Sequence, residues 1–90
     1  MPILDIKPKA IKFIKTLPPK QKRQIKNYIL LLQDNPMPHD ARPLIGYDNY
    51  MRADIGEYRI IYRYEQKKDL LVIVLIGKRN GNEIYRIAKR

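Results

Sequence analysis

Tyr58-Arg59-Ile60-Ile61-Tyr62-Arg63-Tyr64, then Leu70-Leu71-Val72-Ile73-Val74-Leu75-Ile76, then Gly77-Lys78-Arg79-Asn80-Gly81-Asn82-Glu83-Ile84-Tyr85 is the stretch that decides the fold. The first segment alternates with period two, placing Tyr58, Ile60, Tyr62 and Tyr64 on one side of a strand and Arg59, Ile61 and Arg63 on the other. The second is apolar on both sides, as expected of an interior strand covered on both faces. Glu65 to Asp69 between them reads as a polar turn, and Gly77 to Gly81 as a loop. A β-rich run that ends at a glycine and two cations is a common place for a rigid scaffold to present functional side chains.

Working outward, Asn49 to Ile55 also has period two, with Tyr50, Arg52 and Asp54 opposed to Met51 and Ala53, and Gly56 marks a turn. If that register holds, Arg52, Arg59 and Arg63 share one sheet face; a slip of one residue would invert the assignment. Upstream, Pro36 to Tyr47 holds three prolines, Gly46 and the sole histidine. It reads as an irregular connection with a short edge strand near Arg42 to Leu44. Ile25, Tyr28, Ile29 and Leu32 recur at helical spacing, with Lys20, Lys22, Arg23 and Lys26 outside. Ala10, Ile11, Phe13, Ile14 and Leu17 form a second such stripe behind Pro8, which suits a first helical position. Pro18-Pro19 separates the two helices. Ile3 to Lys7 alternates as a short strand, and Asn82 to Lys89 reads as a short C-terminal helix capped by Asn82. The expected architecture is therefore α+β, in the order β-α-α-β-β-β with a short C-terminal helix. Two helices lie on one face of an antiparallel-rich sheet, within one domain spanning residues 1–90.

Composition narrows the partners. Nineteen Lys and Arg against nine Asp and Glu give a formal charge of +10, above the roughly 2–8 usual for a small domain. Such a field attracts polyanions, leaving nucleic acid, an anionic membrane or an acidic protein as candidates. There is no cysteine, so disulfides and thiolate metal sites are excluded. The N-terminus has no signal-peptide pattern, and the longest apolar run is too short to span a bilayer. A cytoplasmic protein is expected, with no membrane partner. His39, alone in a Pro-rich loop, lacks the partners that would tune it for catalysis. No metal site and no small-molecule cofactor are expected, and no phosphate-cradling glycine motif is present.

What remains is Arg52, Arg59, Lys78, Arg79 and Tyr85. A mid-strand arginine among apolar residues needs an anion. Arg59 either pairs with Asp54 or Glu57, or holds a phosphate, which its planar fork can grip bidentately. Lys78 and Arg79 are either a solvated loop or part of the same grip. Tyr85 either covers the core edge or meets the ligand.

Tyr58-Arg59-Ile60-Ile61-Tyr62, the apolar strand, and Gly77-Lys78-Arg79 through Tyr85, in this order and spacing, resemble the RelE/ParE superfamily of bacterial toxins, on the RelE side. The resemblance covers nearly the whole chain. It implies a type II toxin: a ribosome-dependent endoribonuclease that cuts mRNA in the decoding site and is neutralised by a cognate acidic antitoxin. It implies catalytic roles for Arg59, Arg79 and Tyr85, with Arg52, Lys78 and Arg63 as RNA-binding residues. A second cationic position of the RelE pattern falls near Tyr50 here, so the general base is not identified. A ParE-like inhibitor of DNA gyrase and a non-catalytic RNA-binding module are the competing readings.

Overall fold

The structure is a computed structural model that describes residues 1–79. The elements are β1 (Ile3–Ile6), α1 (Pro8–Lys15), α2 (Pro19–Asp34), β2 (Arg42–Pro43), β3 (Met51–Ile55), β4 (Tyr58–Glu65) and β5 (Leu70–Lys78), with a single 3-10 turn at Gln66–Lys68. The strands form one sheet in the order β1-β5-β4-β3-β2. β1 runs parallel to β5, and the other neighbours are antiparallel. This is the expected α+β arrangement. The predicted C-terminal helix lies outside the described residues.

Both helices begin on proline, where the missing N–H costs nothing, and each follows an extended residue, Lys7 or Pro18. Thr16 ends α1, its hydroxyl donating to the Phe13 carbonyl at 2.7 Å. The α2 stripe Ile25, Tyr28, Ile29 and Leu32 is buried as its spacing predicts. It packs with Ala10 of α1 against Ala53, Tyr58, Ile60, Tyr62, Leu71, Ile73 and Ile76 of the sheet. Ile11 departs from expectation, being 40% exposed. The short α1 turns Ala10 fully inward and brings Phe13 and Ile14 only partly against the core, so its buried stripe is narrower than the run of apolar residues suggested.

Two further departures concern β5. The strand runs on through Gly77 and Lys78, which had been expected in a loop, because both pair with β4, opposite Arg59 and Tyr58. The strand also carries a bulge. Tyr62 pairs with Ile73 but Ile61 pairs with Leu75, leaving Val74 as the extra residue. Ile73 and Ile76, three apart, thus both reach the helix-side core, while Leu75 faces the other way.

That second face is covered by the chain between β2 and β3. Leu44 packs with Ile61 and Leu75, and Tyr47, Tyr50 and Val74 close around them. The connection upstream of β2 is pinned from the core. The fully buried Tyr62 donates its hydroxyl to the Pro36 carbonyl at 2.8 Å, and Tyr28 donates to Asp40 at 3.3 Å. Burial raises both phenols, that of Tyr28 to about 12 with help from Asp40, so they remain protonated donors. Tyr62→Phe is expected to cost about 1–3 kcal/mol, the cost of stranding a buried acceptor. Urea denaturation should show it as a lower midpoint at unchanged slope.

Candidate functional site

The site is built on the second face by β3, β4 and the end of β5. On β4, Arg59, Ile61 and Arg63 alternate away from the helix-side core. On β3, Asp54 lies directly opposite Arg59, and Arg52 opposite Ile61. On β5, Gly77 lies on the other side of Arg59 and puts no side chain beside it. The two-residue turn Gly56-Glu57 joins β3 to β4. Gly56 has φ +57 there, a conformation that suits glycine.

Arg59 and Asp54 are joined through two contacts, Nε to Oδ1 at 2.6 Å and an Nη to Oδ2 at 3.2 Å. The side chains are 14% and 32% exposed, so this is a half-buried, charge-assisted pair. Arg79 approaches the same carboxylate from β5. Its backbone N–H donates to the Glu57 carbonyl at 2.9 Å. Its guanidinium stands 3.8 Å from Asp54 Oδ2 and 3.5 Å from the Gly56 carbonyl oxygen. The two arginines, twenty positions apart in sequence, therefore converge on one anion.

The hydrogen bond from Arg59 holds the Asp54 carboxyl below its ordinary range against the opposing effect of burial, and the charges of Arg59, Arg79 and Arg52 add to this. Asp54 is thus ionised at neutral pH and a weak proton acceptor. The sequence offers it only as a possible mate for Arg59; its sharing with Arg79 depends on the end of β5 lying beside the β3–β4 hairpin.

The other expected residues fall at different places. Arg52 is on the same face, one rung along. Arg63 is on this face at the far end of β4, 3.5 Å from Glu65 and with its guanidinium carbon 5.9 Å from the centre of the Tyr50 ring. Lys78 pairs with Tyr58, whose side chain is in the helix-side core, so the structure does not bring Lys78 to the arginine pair. Tyr85 lies outside the described residues. Arg42, not among the expected site residues, sits directly opposite Arg52; that neighbourhood is set by the β2–β3 pairing and carries no local sequence signal. Among the described residues no three metal-ligating side chains are grouped to hold an ion, and no helix is long and apolar enough to cross a membrane.

Residues 4–83 match the family described as the ParE toxin of type II toxin–antitoxin system, parDE. A curated relative from Methanocaldococcus jannaschii, named "Putative toxin RelE1", is 31% identical over 81 residues, covering 87% of this chain and 90% of its own. The RelE–RelB complex of Pyrococcus horikoshii contains a chain 25% identical to this one, with a TM-score of 0.77 over 88% of this chain and 96% of that chain. The isolated Escherichia coli RelE toxin has the same fold at 21% identity, with a TM-score of 0.77 over 99% of this chain and 96% of its own. Two helices packed on a five-strand mixed sheet match the fold of these RelE structures. The chain belongs to the RelE/ParE superfamily of type II toxin–antitoxin toxins.

Asp54→Asn tests the electrostatics of the pair. It is expected to cost about 1–2 kcal/mol of stability at pH 7, a charge-assisted bond discounted for the partial exposure of Asp54. Because the folded-state pKa lies below the ordinary 3.8, the stabilisation is present above that value and is lost as the pH falls through the lower folded one. Thermal melts of both proteins should therefore converge below about pH 3.8 and differ most at neutrality.

Proposed function

We propose that this toxin is a ribosome-dependent endoribonuclease that cuts mRNA and so arrests translation. The observation that carries the reading is the convergence of Arg59 and Arg79 on one carboxylate. Two guanidiniums that share an anion in the resting protein are placed to share a phosphate, and their charge would count most where negative charge grows in a phosphorane. In the reaction, the ribose 2′-oxygen attacks the adjacent phosphorus. An O–P bond forms, the P–O5′ bond breaks, the 2′-hydroxyl proton leaves, and the departing 5′-oxygen gains one. The products are a 2′,3′-cyclic phosphate, or its opened form, and a 5′-hydroxyl.

Arg59 and Arg79 supply charge stabilisation, and Arg79, or water it orients, assists the leaving oxygen. Tyr85 stacks on or hydrogen-bonds to the displaced nucleotide by virtue of the family resemblance. Asp54, stabilised as the anion, orients Arg59 and is a poor general base. With weak acid–base groups, the enzyme relies on the ribosome to impose geometry on the message, an effect worth several kcal/mol when reacting atoms are well oriented. The cognate antitoxin is an acidic protein that binds the +10 chain by charge complementarity. The similar Pyrococcus horikoshii structure is that of a RelE–RelB complex. The expected compartment is the cytoplasm, where ribosomes and messages are found.

The match to the ParE family favours a second reading, inhibition of DNA gyrase. Inducing the toxin while mapping transcript 5′ ends and plasmid supercoiling separates the two. New 5′ ends within translated codons, with supercoiling intact, are expected; DNA damage with intact messages would establish the gyrase reading instead. Arg79→Ala should retain its fold while losing most growth arrest and about 10²–10³ of the cleavage rate, the usual cost of removing one donor to a developing charge. Full toxicity of a folded Arg79→Ala protein would remove the arginine pair from the mechanism.

A further inference from the structure

The far end of the second face carries groups that the Arg59–Asp54–Arg79 cluster leaves unused. Arg42 and Arg52 are direct cross-strand neighbours, and like charges in that position repel. Neither has an ion pair among the described residues. Among the described residues, Arg42 donates to the carbonyls of His39 and Ala41, at 2.7 and 3.2 Å. Two arginines paired across the strands, neither in an ion pair among the described residues, form a site that an outside anion would relieve.

Next to them is an aromatic group. Tyr50 stands one step beyond the last β3–β4 pair, Met51 and Tyr62, and so on the same face as Arg63. Its ring meets Tyr47 edge-on, with centroids 6.4 Å apart. Both rings border an open cavity of about 410 Å³ that Asp48, Met51 and Tyr64 also line. That lies within the roughly 300–1,000 Å³ span of sites for small organic groups. Neither tyrosine is buried. Arg63, four residues along β4 from Arg59, sets the two ends about 13 Å apart at ~3.3 Å per residue, the reach of a few nucleotides.

We propose that this end of the face is a second RNA subsite, in which Tyr50, with Tyr47 edge-on beside it, stacks a base of single-stranded RNA flanking the reacting phosphodiester while Arg52 and Arg42 hold its phosphate. The proposal rests on the reading that RNA is the substrate. Stacking platforms beside cations are how proteins bind single strands without reading base edges. Paired bases expose no ring face to such a platform, so the occupant is a single strand.

The test is the affinity of the full chain for a fluorescently labelled 2′-O-methyl oligoribonucleotide, which cannot undergo 2′-attack, and for an abasic oligomer of equal length. Tyr50→Leu keeps an apolar cover over Ile61 but removes the π-face. It should weaken binding of the intact oligomer by roughly five- to a hundred-fold and leave binding of the abasic oligomer unchanged. Tyr50→Phe should recover most of the loss. Arg52→Gln should weaken both oligomers and flatten the dependence of log K on log salt by about 0.7.

Equal affinity of wild type and Tyr50→Leu for the intact oligomer overturns the proposal. So does an equal loss on the abasic one, or a loss confined to binding of an acidic antitoxin, which would assign the face to the protein partner. A chain that stacks RNA on Tyr50 but cuts no message rejects the nuclease reading and keeps the subsite. A chain that cuts messages but is indifferent to Tyr50 does the reverse.

Discussion

The arrangement depends on how β4 and β5 pair across the bulge at Val74. Below it, Tyr62 faces Ile73; above it, Ile61 faces Leu75 and Arg59 faces Gly77. Without the extra residue the ladder would run unshifted and bring Ile76 opposite Arg59. The bulge instead sends Ile76 into the helix-side core and leaves the smallest residue beside the guanidinium. A single backbone irregularity thus separates a strand that is apolar throughout into a core-forming part and a part that leaves room for charge. Bulges are found next to functional sites for this kind of re-aiming.

The second determinant is electrostatic. In a chain carrying +10, two arginines driven to the same place by strand pairing would repel. Asp54, opposite Arg59 and in reach of Arg79, offsets that repulsion and fixes the orientation of Arg59. The pair farther along, Arg42 and Arg52, has no such carboxylate among the described residues. The face therefore carries one carboxylate between two guanidiniums near the hairpin turn, and, among the described residues, no ion pair to a carboxylate at Arg42 or Arg52.

Much of the fold was legible because period-two and helical spacings are local properties of the chain. The α2 stripe, the division of β4 into tyrosine and arginine faces, and the brief strand near Arg42 all follow from alternation and punctuation. The bulge was not legible: every residue from Leu70 to Ile76 is apolar, so a one-residue shift leaves no mark in the pattern. The same ambiguity hid the continuation of β5 through Gly77 and Lys78, and with it the turn of Lys78 away from Arg59. In the candidate site, Arg59 and Arg79 were legible as cations placed by a strand and its end. Their common partner, and the Arg42–Arg52 register, depend on pairing between distant segments, which no local signal records. Ile11 was misassigned because spacing reports which residues are apolar, whereas an eight-residue helix chooses which of them to bury.

The main-chain bond from the Arg79 amide to the Glu57 carbonyl joins the exit of the last described strand to the tip of an earlier hairpin. Closing it brings the second guanidinium to the first only after the intervening chain has crossed the sheet and returned. An emerging polypeptide holds one half of the cationic cluster from the hairpin onward and lacks the other half until β5 docks. Assembly of the cluster therefore requires the long-range docking of β5 beside the hairpin, and a nascent or clipped chain ending before that strand lacks the complete cluster.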